Sequence, residues 1–194
     1  MMLVRFSDVF PLKSSRYHEV TGAGAYSFAS VCCGYTAGKA IWFVEGWMHE
    51  VVNPLGLQTH CDPHQVLIGK CSNPTDVLAA SEEALRSGVV SLVIAELTKP
   101  LSLTAGRRLQ LAAEAGGSSG LMIVRDGMGS NATQTRWHVS PVYSSNDSTQ
   151  MRWSLIKNKS GTRMDWEVRW DEAARRIFVV PQHVQRTGVT QAAL

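Results

Sequence analysis

Charged residues, cysteines and long apolar runs are all scarce in this chain, and each shortage argues against particular classes of protein. Only 18% of its 194 residues are charged and 44% are hydrophobic, which is the balance of an ordinary globular domain. The longest apolar run, Val89 to Leu97, is interrupted by Ser91 and is too short to span a bilayer. The sequence also lacks a basic and apolar leader with a small-residue cleavage site. We therefore expect a cytoplasmic protein with one main domain and no membrane contact.

The few cysteines are placed unlike those of a disulfide framework or a structural zinc site. They form no C-x-x-C pair, so reduced thiols are the natural interpretation. The segment His60 to His64, with Cys71 nearby, contains residue types that bind zinc but lacks the paired cysteines of such sites. We predict no metal. The four cysteines are Cys32, Cys33, Cys61 and Cys71.

The formal net charge of +3 hides an uneven distribution along the chain. Residues 1–100 hold 7 Lys and Arg against 9 acids, whereas residues 101–194 hold 12 against 7. The basic second half fits either contact with nucleic acid or an acidic partner, or a solvated basic surface.

Buried strand-like runs alternate with amphipathic helical segments as far as residue 124, which predicts an α/β fold with a mainly parallel central sheet flanked by helices. A loop rich in Gly, Ser and Asn follows from Arg125 to about Gln134, and three alternating segments then predict antiparallel strands added at the C-terminal edge. The strands expected in the first part are Tyr17 to Thr21, Ala40 to Val44, Val66 to Lys70, Val89 to Leu97 and Leu121 to Val124. The later ones are Thr135 to Val142, Met151 to Lys157 and Asp165 to Asp171.

Three helices are expected between the strands of the parallel part. The first follows Gly24, and the second runs from Pro74 to Gly88 behind a possible Asn73 cap. The third covers Thr104 to Ala115 and is expected to stop at Gly116 and Gly117. These elements divide the chain into a loosely held N-terminal arm (1–16), one domain (17–180) and a flexible C-terminal tail (181–194).

The strand ending at Thr21 leads into Gly22-Ala23-Gly24 and then a helix, which is the order of a phosphate-binding P-loop. The residues with which a P-loop binds phosphate and magnesium are missing, however. With the spacing G-x-x-x-x-G-K-[ST] counted from Gly22, the second glycine, the lysine and the hydroxyl fall on Ser27, Phe28 and Ala29. A triphosphate would meet an aromatic ring instead of an ammonium group, so we predict no catalytic residues and no nucleotide cofactor.

A second near-match, Gly34 to Ala40, contains Gly38-Lys39 but has its glycines one residue too close. It follows a helix and precedes a strand, whereas a P-loop opens a helix so that backbone amides face the phosphates. We interpret it as a helix C-terminal turn.

Several stretches of the chain resemble the RecA-type core. Glu19 to Gly22 matches the entry to the P-loop, and Trp42 to Glu45 matches a strand that ends in acids near the attacking water. Ala84 to Gly88, followed by Val93 to Glu96, resembles the helix and strand before the Walker B acid. Met151 to Lys159 resembles a late strand that ends in a basic pair.

The chain is more specifically similar to the ImuA family, compact RecA-like proteins of bacterial mutagenesis cassettes. Three runs carry the resemblance: Glu82 to Arg86, Leu103 to Gly117 and Thr135 to Trp137. It implies a RecA-like fold and a role in SOS-induced, error-prone translesion synthesis after DNA damage. It also implies a Y-family-like ImuB-type partner, an error-prone DnaE-type polymerase and possibly RecA. The degenerate nucleotide site would comprise Gly22, Gly24, Glu45 and Glu96.

Candidate contact residues follow from the same comparison. Arg125, Arg136 and Trp137 flank or follow the loop that contacts DNA in RecA proteins, although a Trp in an alternating strand favours a core position. Lys157 and Lys159 match the basic pair, which would here meet an acidic partner or solvent. Arg107 and Arg108 open a helix, an unfavourable place for cations unless an anionic partner faces them, and are the preferred interaction candidates.

Two other functions stay open on the sequence. One is inhibition of cell division through FtsZ, since SulA-type proteins are also compact RecA-like proteins without a nucleotide site. The other is a divergent ATPase that recruits a lysine from elsewhere, for instance Lys39.

Overall fold

The computed structural model of the protein describes residues 5–50, 52–143 and 149–181. Helices alternate with strands along the first two thirds of this part, and strands alone follow. The helices are α1 (Ala25–Gly34), α2 (Pro54–Gln58), α3 (Pro74–Ser87) and α4 (Leu103–Gly116). The strands are β1 (Tyr17–Thr21), β2 (Ala40–Glu45), β3 (Val66–Cys71), β4 (Leu92–Glu96), β5 (Ser119–Ile123), β6 (Thr135–Pro141), β7 (Met151–Asn158), β8 (Met164–Asp171) and β9 (Arg176–Val179).

The nine strands of the described residues form one sheet in the order β3-β2-β4-β5-β1-β6-β7-β8-β9. The pairs from β3 to β6 are parallel, and those from β6 to β9 are antiparallel. The predicted α/β class, with a mainly parallel core and antiparallel strands at the C-terminal edge, is confirmed. One part of that prediction is wrong, because β6 joins β1 in parallel, with Val20 opposite Trp137. Alternation in β6 shows only that one face is more buried than the other, and says nothing about the direction of its neighbours.

Helices cover both faces of the sheet, so successive residues of a central strand enter different cores. In β4, Ile94 packs on the side of α1, whereas Val93 and Ala95 pack on the side of α3 and α4. This two-sided burial explains why β4 is a continuous apolar run without alternation. The strand is shorter than predicted because Val89 lies outside it and is exposed.

The ends of α3 and α4 are formed by the residues that the sequence indicated. Asn73 accepts hydrogen bonds from the amides of Thr75 and Asp76, and Gly88 follows in the left-handed region with φ 67°. Gly117 ends α4 in the same way, with φ 71°. The short helix α2, which Asn53 caps, and the edge strand β9 were not predicted.

Residues 5–16, the described part of the expected N-terminal arm, pack against the domain. Phe10 is buried, and its ring lies 4.9 Å from that of Tyr35 and 5.0 Å from that of Trp153 between centroids. Aromatic burial of this kind offsets the entropy of ordering a short segment. Of the predicted tail, residues 182–194 lie outside the described residues.

Candidate functional site

The candidate site lies at the carboxyl ends of the parallel strands, where open α/β sheets bind their ligands. β1, β4 and β5 end there beside the first turn of α1. They enclose a cleft of about 460 Å³, called here the carboxyl-end cleft, between Thr21 to Tyr26, Glu96 to Thr98 and Ile123 to Asp126. Asp126 accepts a hydrogen bond of 2.7 Å from the Thr21 hydroxyl and so fixes one wall.

The glycine turn before α1 is explained by its packing against β6. The Gly24 amide donates to the Val139 carbonyl of β6 at 2.9 Å. A Cβ at Gly22 would lie 2.4 Å from that carbonyl oxygen, and a Cβ at Gly24 would lie 2.4 Å from Val139 Cγ1. Gly22 also has φ +92°, which favours glycine. Both glycines are therefore required by the close approach of β6, and an amide that would face a phosphate is already bonded.

The position that the P-loop spacing assigns to lysine points into the core. Phe28 is completely buried, and its ring lies 4.5 Å from the Trp153 ring and 5.6 Å from the Trp137 ring. Ala29 is also buried. Neither position faces the carboxyl-end cleft. Both side chains instead pack in the core of the domain.

The two acids assigned to the degenerate site are buried and held by neutral donors. Glu96, only 6% exposed, accepts from the Tyr26 hydroxyl at 2.7 Å and from Trp42 Nε1 at 2.8 Å. Glu45, 2% exposed, accepts from Trp47 Nε1 at 2.7 Å and from the Thr98 hydroxyl.

Burial is the main cause that raises the pKa of Glu96, and the Glu50 charge raises it further. The hydrogen bonds from Tyr26 and Trp42 act in the opposite direction, because they stabilise the ionised form. The sequence placed Glu96 at this strand end but gave no sign of its two donors, since Trp42 looked like an ordinary core residue.

Lys39, the lysine considered for a divergent ATPase, lies at the other end of the sheet. It directly precedes β2, whereas Glu45 ends that strand. Its carbonyl accepts from the Ser91 amide at 2.9 Å in the turn between α1 and β2. The interpretation of Gly34 to Ala40 as a helix C-terminal turn is confirmed, because α1 ends at Gly34 and Tyr35 caps it.

Arg136 was predicted to contact DNA but forms an ion pair inside the protein. Its Nε donates to Glu19 Oε2 at 2.6 Å, and Glu19 is fully buried. Its Nη2 donates to the Ser130 carbonyl at 2.8 Å, while the Ser130 amide donates to Glu19 Oε1 at 2.8 Å. The guanidinium thus holds residues 124–134, the β5–β6 loop, against β1. Glu19 itself, the acid of this pair, was missed as an electrostatic partner.

Trp137 is completely buried, so the predicted contact with a DNA base is wrong and the core alternative is confirmed. Its ring packs against Phe28 and Trp153, and its Nε1 donates to the Thr135 hydroxyl at 3.1 Å. The alternation of β6 directs it into the core.

The two lysines of the predicted basic pair are used differently. Lys157 Nζ donates to the carbonyls of Asn131 at 3.0 Å and Thr133 at 2.9 Å in the β5–β6 loop. Burial lowers the pKa of Lys157, and the nearby Arg136 charge lowers it further. Lys157 therefore stabilises the β5–β6 loop. Of the two lysines, only Lys159 is exposed, as contact with an acidic partner or solvent requires. Arg125 is exposed at the wall of the carboxyl-end cleft.

Arg107 and Arg108 are both exposed on the first turns of α4. Arg108 donates to Glu82 Oε2 of α3 at 2.7 Å, and Glu82 also pairs with Arg86. Arg108 thus has an internal anionic partner. Arg107 forms no ion pair with any described residue, and its i, i+4 neighbours on the helix, Leu103 and Leu111, are exposed as well.

The cysteines and histidines near α2 do not form a metal centre. No group of three or more His, Cys, Asp or Glu side chains is arranged to hold a metal in residues 5–50, 52–143 and 149–181. All four cysteines are free thiols.

No protein-family model matches the chain, and no curated protein matches it significantly. Within the described ranges, none of the helices has both the length and the apolar character needed to cross a membrane.

Proposed function

We propose that the protein is a non-hydrolysing RecA-like adaptor in SOS-induced, error-prone translesion synthesis in the bacterial cytoplasm. The glycine turn before α1 is the main argument against nucleotide hydrolysis. The Gly24 amide bonds to Val139, and Phe28 fills the core where a P-loop lysine would reach a phosphate. A phosphoryl-transfer site needs that cation and free backbone donors.

The adaptor role rests on the ImuA-like runs together with the surface that one of them forms. The run Leu103 to Gly117 folds as α4, and it presents Leu103, Arg107 and Leu111 on one exposed face. Apolar residues around an unpaired arginine are a common composition of protein interfaces. We propose this face of α4 as the contact for an ImuB-type protein, which would link the chain to an error-prone DnaE-type polymerase and possibly to RecA.

Co-expression with an ImuB-type protein tests the adaptor role. We expect the two proteins to co-purify through a high-salt wash, because an interface built on Leu103 and Leu111 resists screening. Replacing Arg107 by Glu together with Leu111 by Asp should abolish retention. The matched control replaces Arg152 by Glu and Ile156 by Asp, an exposed arginine and an exposed apolar residue on β7.

Retention of the α4 variant would refute the interface, and failure of the unaltered chain to co-purify would refute the adaptor role. In the latter case an effect of the chain on FtsZ assembly would establish the division inhibitor instead.

Calorimetric titration with magnesium-ATP tests the absence of nucleotide binding separately. We expect no heat of binding at millimolar nucleotide, since neither Phe28 nor Ala29 reaches the carboxyl-end cleft. Saturable heat that disappears when Lys39 is replaced by Ala would support a divergent ATPase.

A further inference from the structure

Glu45 and Glu96, at the carboxyl ends of β2 and β4, have no positively charged side chain as a partner among the described residues, unlike the buried Glu19 of β1. Glu19 is paired with Arg136 at 2.6 Å. Glu45 and Glu96 receive only indole and hydroxyl hydrogen bonds, and neither pairs with a Lys or Arg in the part of the chain that the structure describes. Buried carboxylates are costly unless a positive charge compensates them. An uncompensated carboxylate beside a cleft is thus suited to a cation supplied from outside.

Glu96 lies between two adjoining clefts with aromatic walls. The second cleft, of about 530 Å³, is lined on one side by Tyr26 and Trp42 and on the other by residues 52–57. It shares Tyr26, Glu50 and Glu96 with the carboxyl-end cleft. The rings of Tyr26 and Trp42 stack with centroids 6.1 Å apart and planes 13° apart, and Tyr26 remains 47% exposed. An accessible aromatic ring beside carboxylates is a favourable environment for an organic cation.

The basic side chains that line the two clefts form no ion pair with Glu50 or Glu96. Arg125 lines the carboxyl-end cleft and its charge acts on the Tyr26 hydroxyl, but it forms no ion pair with a described residue. His60 lines the second cleft, and burial lowers the pKa of its imidazole, which disfavours the charged form. A metal ion is a poor candidate for the missing charge, because the described residues hold no group of three ligating side chains.

We propose that the clefts around Glu96 bind an arginine side chain of a partner protein, with its guanidinium at Glu96 and Glu50 and its planar face against Tyr26. This inference rests on the proposed adaptor function, whose partner it describes chemically. Arginine is favoured over lysine because its guanidinium donates to two carboxylates at once and stacks on an aromatic face. The end of the sheet where a P-loop protein would hold a phosphate anion is then selective for a cation.

Nuclear magnetic resonance of the ¹⁵N-labelled full chain tests the cleft directly, with N-acetylarginine amide as the probe. We expect the Trp42 indole resonance, assigned by Trp42→Phe, to shift saturably with this probe. N-acetylcitrulline amide, which has nearly the same shape without the charge, should shift it at least tenfold less at equal concentration. Glu96→Gln and the exposed rim variant Glu50→Gln should each weaken arginine binding severalfold, and Glu83→Gln on the outer face of α3 should leave it unchanged.

Equal shifts with both probes, or unchanged binding in Glu50→Gln and Glu96→Gln, would overturn the proposal. Glu50 is exposed, so its variant stays informative even if Glu96→Gln fails to fold. The co-purification described above is scored independently. Loss of arginine binding with retained co-purification would refute only the cleft, whereas arginine binding without co-purification would refute only the adaptor.

Discussion

His18 shows how a single buried side chain links the N-terminal segment to the centre of the sheet. Its Nε2 lies 2.9 Å from the Lys13 carbonyl and therefore carries the proton. Its Nδ1 lies 2.6 Å from the Thr135 hydroxyl, which donates to it while accepting from Trp137 Nε1. This chain of hydrogen bonds requires the neutral imidazole, and burial lowers the pKa of His18 to about 4.

The first prediction is a loss of stability in mild acid. The unfolded chain binds a proton at His18 near its ordinary pKa of about 6.5, whereas the folded chain binds it only near pH 4. The contribution of His18 is thus constant above pH 6.5 and is lost between pH 6.5 and 4, by about 3 kcal/mol in total. Urea unfolding of the protein and of His18→Gln across this range measures it. The variant should show a shallower dependence, and parallel curves would contradict the assignment.

The second prediction is that restoring the P-loop lysine does not restore nucleotide binding. Phe28→Lys should destabilise the fold by at least about 3 kcal/mol, because it removes a buried ring and places an amine in the aromatic core. Thermal unfolding and magnesium-ATP titration measure the two effects. Ser27→Lys, one position earlier at the edge of the clefts, is the control and should fold normally. A stable Phe28→Lys protein that binds ATP would refute the packing argument.

At the level of elements, the β5–β6 loop is held by charged side chains from three strands. Arg136 of β6 and Glu19 of β1 bind it through Ser130, and Lys157 of β7 bonds to two of its carbonyls. A loop that the sequence marks as glycine-rich and free to contact DNA is therefore tied to the sheet. Composition indicated that this segment was a loop, but the buried ion pair joins residues that are far apart in sequence, and no local pattern reports it.

The third prediction concerns that ion pair. Arg136→Met should destabilise the protein by about 3–5 kcal/mol, since it leaves the buried Glu19 carboxylate without its positive partner. Arg152→Met removes a similar contact, to Glu167 at 2.8 Å, but at an exposed position, and should cost less than about 1 kcal/mol. Chemical denaturation of the two variants measures the difference. Equal costs would mean that Glu19 is compensated in another way.

Element types were more predictable than their partners. Tyr17 to Thr21 was predicted to the residue, and the caps Asn73, Gly88 and Gly117 were visible because capping depends on adjacent residues. The parallel joining of β6 to β1 was not visible, because register and direction depend on contacts between distant segments. At the candidate site, too, contacts between distant segments could not be predicted. Glu45 and Glu96 were found at strand ends, whereas the donors Tyr26 and Trp42 reach Glu96 only in the folded chain.

Across the whole molecule, the sheet stays open and begins at an apolar edge. Among the described strands, β3 pairs only with β2, and its Leu67 and Ile68 are exposed. Edge strands with apolar side chains and unpaired backbone groups readily pair with other chains.

The fourth prediction is that Ile68→Lys lowers self-association at high protein concentration, because a charge on an edge strand opposes pairing. Its free energy of unfolding should change by less than about 0.5 kcal/mol, as is usual for exposed positions. Light scattering across a concentration series measures the association. Gln58→Lys adds the same charge on α2 and should have no effect. If both variants reduced scattering equally, net charge would be the cause and the edge would not.

The position of β1 has a consequence for synthesis of the chain on the ribosome. β1 emerges before both of its neighbours in the sheet, since Tyr17 pairs with Gly120 of β5 and Glu19 with Arg136 of β6. A nascent chain that has emerged only as far as α4 therefore holds a gap where β5 belongs, and both edges of β1 lack their hydrogen-bonding partners. Such long-range pairing slows folding and leaves apolar strands uncovered in the meantime. The middle of this sheet is therefore completed only after β6 has emerged.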